Sequence, residues 1–294
     1  MKFRWFLVAL TLALYQKSTA ADFLANAAAP KIQSTAITEA SGLAISSVNP
    51  DFMWIVNDSG GTPDIHLVNT EGASRGKVRL QDATNIDWED LASFSLDGKN
   101  YLLVADTGDN NSKRKSSILY ILPEPTLPAK GKILEASTSS SWRIQFQYEG
   151  GPRDCESVAV DAKAGKIILI SKRTDPPEVY EMPLRPPLKP VIQTAHKIGT
   201  TSVKSMDGLI PFRDQPTGLD ITANNSLAAV ITYYGIFLFP RQANESWAVA
   251  FSHAPTALPP HLLGQAESVA FSKDGKTIYA ISEGKNSPIK SYHR

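Results

Sequence analysis

Glu267-Ser268-Val269-Ala270-Phe271-Ser272-Lys273-Asp274-Gly275-Lys276-Thr277-Ile278-Tyr279-Ala280-Ile281-Ser282-Glu283-Gly284 decides the fold. Apolar residues alternate from Val269, Asp-Gly supplies a tight turn, and Ile278 to Ile281 is a β-rich run, so the stretch reads as a β-hairpin. The opening recurs four times upstream: Ser41-Gly42-Leu43-Ala44, Glu89-Asp90-Leu91-Ala92, Glu156-Ser157-Val158-Ala159 and Thr217-Gly218-Leu219-Asp220. Turns follow at Asn49-Pro50-Asp51, Asp97-Gly98-Lys99, Ala164-Gly165-Lys166 and Asn224-Asn225. A second strand comes next in each copy: Trp54-Ile55-Val56, Leu102-Leu103-Val104, Ile167 to Ile170, and Ala229-Val230-Ile231. A third is visible at Ile65 to Val68, Ile118 to Ile121, Val179 to Met182, Ile236 to Phe239 and, more weakly, Ile289 to Tyr292. Helical periodicity is absent from these segments.

The copies start 48, 67, 61 and 50 residues apart, room for four strands plus loops. That is the length of a β-propeller blade. The last copy has 28 residues and lacks a fourth strand, while residues 21–40 hold a spare apolar segment, Lys31 to Ile37. A strand from one end completing the blade at the other would close the ring without a free edge. The expectation is therefore an all-β chain with one propeller domain over 21–294, five blades, and an N-terminal strand completing the last; six blades is the alternative.

Residues 1–20 carry Lys2 and Arg4, an apolar stretch from Trp5 to Leu14, and Ser18-Thr19-Ala20, the layout of a cleaved signal peptide. The expectation is an exported protein, periplasmic or secreted, without stable membrane insertion after cleavage, and a monomer; an uncleaved N-terminal anchor is the alternative. The chain has 294 residues, 30 Lys+Arg against 29 Asp+Glu, and a formal net charge of +1, which gives nucleic acid no electrostatic footprint. The basic run Lys113-Arg114-Lys115 reads as a solvated loop. Cys155 is the one cysteine, so no intramolecular disulfide and no Cys-rich zinc site can form.

In such a fold the first strands line the axis, and equivalent positions form rings. One ring reads Ser41, Glu89, Glu156, Thr217 and Glu267; the other, at the end of the second strands, reads Asp58, Asp106, Lys172, Tyr233 and Glu283. Antiparallel pairing puts both at one mouth. Three converging glutamates must bind a cation, pair with Lys172 and Arg173, hold protons, or serve as caps on neighbouring blades by accepting backbone N–H bonds. Glu89, Glu156, Glu267 and Asp106 are candidate metal ligands, and oxygen ligands favour Ca2+ or Mg2+. Lys172 and Tyr233 are candidate catalytic groups that would steady negative charge. Asp58, Trp88 and Glu283 are candidate ligand contacts, with Trp88 either an aromatic wall or a packing residue. The loops Asn57 to Gly61 and Asp106 to Asn110 could be ligand loops or Asx turns, with Gly60, Gly61 and Gly108 at positive φ. No organic cofactor motif is present.

These segments, with Asp87-Trp88-Glu89-Asp90, Pro123-Glu124-Pro125, Asp154-Cys155-Glu156-Ser157 and Lys172-Arg173, resemble exported bacterial β-propeller proteins that mostly lack an assigned activity, distantly similar to NHL-type and lactonase-type propellers. The resemblance covers nearly the whole mature chain. It departs at Ile231-Thr232-Tyr233, where that pattern often has Arg-Thr-Tyr, and at Thr217, where lactonase-type propellers usually have a metal-binding Asn. Two functions follow as expectations: a divalent-cation-dependent hydrolase of esters, lactones or phosphoesters, or a non-catalytic envelope module binding a small molecule, a glycan or a protein. An assembly scaffold docking through the proline-rich segment Pro183 to Pro190 is a third.

Overall fold

The computed structural model describes residues 22–187, 191–204 and 214–294. The signal-peptide segment 1–20 and part of the proline-rich segment lie outside these. The architecture is a β-propeller, built from antiparallel meanders in which turn chemistry sets each hairpin. Asp97 (φ 51°) with Gly98 (φ 74°), Gly165 (φ 64°), Asn225 (φ 57°) and Gly275 (φ 68°) occupy the left-handed region at the turns between first and second strands.

Strand β1 (Leu24–Ala25) precedes the first meander, β2 (Ala40–Ile45), β3 (Phe52–Asn57), β4 (Asp64–Asn69) and β5 (Ser74–Leu80). The second meander has β6 (Trp88–Leu96), β7 (Lys99–Asp106) and β8 (Ser117–Pro123), then β9 (Leu134–Thr138) and β10 (Trp142–Tyr148). β10 returns to β8, whereas β9 leaves its neighbours and adds to β5 in parallel. The third comprises β11 (Ser157–Asp161), β12 (Lys166–Ile170), β13 (Glu178–Pro183) and β14 (Gln193–Thr200). β14 also pairs in parallel with β10, joining the second and third meanders into one eight-stranded sheet. The fourth contains β15 (Pro216–Ile221), β16 (Leu227–Thr232), β17 (Ile236–Pro240) and β18 (Thr256–Ala257), with helix α1 (Trp247–Ser252) before β18. The fifth is β19 (Ala266–Phe271), β20 (Thr277–Ser282) and β21 (Lys290–His293).

The N-terminal contribution to the fifth meander differs from the expectation. β1 pairs with β21, Leu24 facing His293, whereas Lys31 makes a single bridge to Pro288. Ile32 and Ile37 are buried, so the apolar run at 31–37 packs rather than pairs. Helix α1 was not foreseen; Ser246 caps it by accepting from Val249 N, and Trp247, Ala250 and Phe251 are its buried residues.

The first strands lie innermost and side by side: β2 against β6, β6 against β11, β11 against β15, β15 against β19, and β19 against β2. Hydrophobic clusters fill the gaps between meanders, such as Ala159, Ile168 and Leu219 with Val230, Phe239 and Trp247. Hydroxyls stitch the innermost strands: Thr217 Oγ1 donates to Ala266 O at 2.7 Å and Ser268 Oγ to Ser41 O at 2.7 Å. Inner edges buried in this way need hydrogen-bond partners, and side chains from neighbouring meanders supply some of them. No helix among the described residues is long and apolar enough to cross a membrane.

Candidate functional site: an acidic mouth

A register shift marks the start of four first strands. Ala40 faces Asn57 but Gly42 faces Val56, and the same slip leaves Glu89, Thr217 and Glu267 as the additional residue opposite their partners. Such bulges re-aim the side chain they carry. The fifth ring member, Glu156, immediately precedes β11. Sequence spacing thus places Ser41, Glu89, Glu156, Thr217 and Glu267 equivalently, and all five are buried.

The second ring holds with one correction. Asn57, Asp106, Thr232 and Ser282 face Ala40, Trp88, Pro216 and Ala266, so the counterpart of Asp58, Tyr233 and Glu283 is Thr107. Asp106 sits one residue early and turns to Arg114, whose Nη1 lies 2.7 Å from Oδ1; Asp87 N also donates to Oδ1, at 3.2 Å. Thr107 Oγ1 donates to Cys155 O at 2.7 Å. Trp88 is fully buried, its ring 6.4 Å from Tyr120 and its Nε1 donating to Thr84 O at 3.3 Å, so it packs between meanders and offers a ligand no wall.

Two acidic groups come together around Glu89. Carboxylate oxygens of Asp58, Asp87 and Glu89 lie within 4.8 Å of one another, as do those of Glu89, Asp154 and Glu156. Oxygens so spaced are near enough for small side-chain shifts to bring them to one cation, whose oxygen ligands stand about 2.4 Å away for calcium. Gly108 is what allows the approach: its φ is not positive, but a Cβ there would fall 2.1 Å from Glu89 Oε1 and 2.5 Å from Asp87 Oδ2. Gly60 does take the left-handed conformation (φ 75°). Asp154 is also held by Arg173 Nε at 2.6 Å, so Arg173 pairs with this aspartate and not with the glutamate ring.

A hydrogen-bonded chain runs along the other side. The Lys172 ammonium rests against the Glu156 carboxylate and donates to Tyr233 Oη at 3.3 Å, its Nζ 5.2 Å from that ring's centroid. Tyr233 Oη donates to Glu267 Oε1 at 2.7 Å, and beyond it Gln265 Nε2 donates to Glu283 Oε2 at 2.8 Å.

Burial and mutual repulsion hold protons on these acids. Burial, then Glu156, Asp58, Asp87 and Glu267, push the Glu89 carboxyl well above the usual range. Glu156 rises to about 8 through burial, although Lys172 pulls it back. Glu267 rises to about 9 through burial, Glu156 and Glu283, and Asp87 to about 6 through burial and Asp58. Burial also raises Asp58, opposed by the Ser59 backbone N–H that donates to its carboxylate. Burial would depress the Lys172 ammonium, but Glu156 outweighs it and the net shift is upward. Tyr233 is raised by burial and Glu267.

The role of blade cap, open to the glutamates on sequence grounds, belongs to two aspartates instead. Asp90 Oδ2 accepts from Val158 N (2.7 Å) and Leu219 N (3.2 Å), reaching two other first strands, and Oδ1 accepts from Leu91 N (2.8 Å). Asp220 Oδ2 accepts from Phe271 N at 2.7 Å. Sequence reasoning also left Asp87 and Asp154 out of the ligand set. Their signal was present: Asp87-x-Glu89 and Asp154-x-Glu156 are period-two pairs, which put both carboxylates on one side of an extended segment. Cys155 is buried, its thiol donating to Ile170 O at 3.3 Å, and burial pushes it up to about 12, so it is no nucleophile.

No protein-family model matches the chain, and no curated protein matches it. Among solved structures it is similar to a chain in the crystal structure of a nidogen/laminin complex, at 14% identity over 84% of this chain and 73% of that one, with a TM-score of 0.46.

Proposed function

We propose that the chain is an exported, five-bladed, closed β-propeller whose acidic mouth holds a divalent cation and hydrolyses an ester, lactone or phosphoester. Five blades is supported by the five meanders. Among the described residues, the long interval after Glu89 adds only β9, which attaches to β5 rather than forming a sixth unit. Closure is supported by the pairing of β1 with β21 and by the contact of β19 with β2. Export rests on residues 1–20 and their signal-peptide layout.

The observation that carries the cation reading is the convergence of buried carboxylates on Glu89. Asp58 and Asp87 on one side and Asp154 and Glu156 on the other would hold a hard divalent ion, most simply Ca2+ or Mg2+, which would relieve the repulsion now met by protonation. Glu267 stands outside both groups, on the Tyr233 side. When bound, the cation would supply Lewis acidity toward a carbonyl or phosphoryl oxygen. Tyr233 and the Lys172 ammonium border that position through Glu267 and Glu156, where they would face negative charge developing on a substrate. Glu267, outside both ligand groups and raised to about 9, is suited to proton transfer. The competing reading, a non-catalytic binding module, is supported by the engagement of Lys172 and Tyr233 with protein carboxylates.

Calcium and magnesium titration of the mature protein, followed by heat of binding and Tm, tests the site with Glu89→Gln as control. A rise in Tm that the variant loses is expected. Absence of binding by either ion overturns the cation site. With a cation bound, failure to hydrolyse 4-nitrophenyl acetate, a lactone series and bis(4-nitrophenyl) phosphate overturns catalysis and leaves the binding module.

A further inference from the structure

The two acidic groups that share Glu89 are not equivalent. Asp154 and Glu156 are buried, and each already carries a base from one dipeptide: Arg173 Nε lies 2.6 Å from Asp154 Oδ2, and the Lys172 ammonium rests on Glu156. Two acids there face two bases. Asp58 and Asp87 are half-buried, and among the described residues no ion pair reaches either of them or Glu89. Arg114, whose charge eases Asp87, is 18% exposed and is itself paired with Asp106 at 2.7 Å. Three acids there have no base of their own.

The seating of Lys172 differs from that of an ordinary salt bridge. Its side chain is 6% exposed, and its Nζ meets both oxygens of Glu156. Glu156 Oε2 is nonetheless buried without a hydrogen bond. The ammonium therefore sits as a point charge between two oxygens, as a metal ion does, and Tyr233 Oη at 3.3 Å is its third oxygen. The backbone holds it there: Lys172 N donates to Asp154 O at 2.9 Å, which ties the residue to the segment that supplies Asp154 and Glu156. Lifting Lys172 away would leave a buried acid without its counter-charge, which opposes its displacement by an incoming ion.

We propose that Lys172 is a resident cation filling the second of two ion positions in the mouth, so that the protein takes one divalent ion, at Asp58, Asp87 and Glu89, where its carboxylates alone would take two. The inference rests on the cation reading above and narrows it to the group without a base. A tethered ammonium cannot be chelated or diluted away, so the buried acids stay matched whatever the ion supply, and the half-buried acids are the ones an ion can enter and leave. Removing the ammonium turns its seat into an ion site, because oxygens of Glu89, Asp154 and Glu156 lie within 4.8 Å of one another.

The test is ion stoichiometry. Calorimetric titration and equilibrium dialysis with Ca2+ should give one ion for the wild type and two for Lys172→Ala and for Lys172→Met, the methionine keeping an apolar stem against the Tyr233 ring. The Tm of each variant in EDTA establishes that it is folded. Independently of any variant, acetylation of wild-type Lys172 by an N-hydroxysuccinimide ester, read by peptide mass mapping, should be equally slow with and without Ca2+. Two ions in the wild type, no additional ion in either folded variant, or tenfold faster acetylation on adding Ca2+ would each overturn the proposal. A wild type that binds no ion beside a Lys172→Ala that binds one would overturn the cation reading while leaving Lys172 as the resident cation, so the two failures are distinct.

Discussion

Glu89 and Asp90 are neighbours in the chain, both buried, both carrying carboxyls pushed well above their usual range, and they do opposite things. Asp90 takes three backbone N–H groups from three first strands. Among the described residues Glu89 takes none: its side chain accepts from the Ser41 hydroxyl at 3.2 Å and is otherwise crowded by acids. The same division separates Asp220, bonded to Phe271 N, from Glu267, bonded to Tyr233. A short carboxylate with matched donors serves as a staple across the axis; a longer one, re-aimed by a bulge among its own kind, is left with capacity for something else. Burial and a raised proton affinity are common to both, so neither marks function by itself; the partner atoms do.

Removing a staple should have the largest effect. Asp90→Ala strips the acceptor from three buried N–H groups and should cost about 4 kcal/mol of stability, read from denaturant unfolding. A cost under about 1 kcal/mol would mean the staple is ornamental and the contrast with Glu89 false.

The mouth should announce itself through pH. Glu156 and Glu267 keep protons up to about 8 and 9, whereas their unfolded counterparts ionise near 4.5. Between these values the folded state binds more protons, so the stability these two groups contribute is full below about pH 4.5 and falls as pH rises toward 9, by about 3 kcal/mol in EDTA. Asp220, raised to about 7, contributes in the same direction. Glu267→Gln, which preserves the acceptor for Tyr233, should flatten that decline, and calcium should reverse it. A pH-independent Tm from 6 to 9 would refute the crowding of protonated acids.

Gly108→Ala probes how tightly the acids are drawn together. Its Cβ would meet Glu89 Oε1, so the carboxylates must spread, with loss of cation binding and about 2 kcal/mol of stability. The same loss of stability with cation binding intact would place the ion elsewhere.

The smallest effect is expected at the rim. Leu262 is 86% exposed yet sits at φ 57°, held there by His261, whose Nε2 donates to Thr232 O at 3.1 Å and whose Nδ1 accepts from Leu263 N at 3.0 Å. Leu262→Gly relieves that backbone strain but frees the unfolded chain, for a net gain of about 0.5 kcal/mol. A clear loss in Tm would show that the side chain packs in solution.

Much of the fold was legible in sequence because each hairpin carries its own turn residues; Asp97-Gly98 and Asn225 need no distant partner to take the left-handed region. The ring of Ser41, Glu89, Glu156, Thr217 and Glu267 was legible for the same reason, since the repeat itself sets it. What was hidden depends on pairing across distance. Strand β9 joins β5, β14 joins β10, and β1 rather than the apolar run 31–37 reaches β21. Asp106 was misplaced by one residue because a bulge alters register without altering composition. The staples were unreadable, since an aspartate inside an alternating strand looks like a solvent-facing residue until the opposing backbone is known.

The pairing of Leu24 with His293 has a bearing on how the molecule is made. It joins the two most distant stretches of the described chain, and loop-closure entropy delays such contacts until the intervening segments have compacted. A chain that emerges from its N-terminal side cannot acquire it until the residues around His293 have followed. The fifth meander is then the slowest to mature, and until β1 docks, β21 offers a transient bare edge on which a second nascent copy could pair.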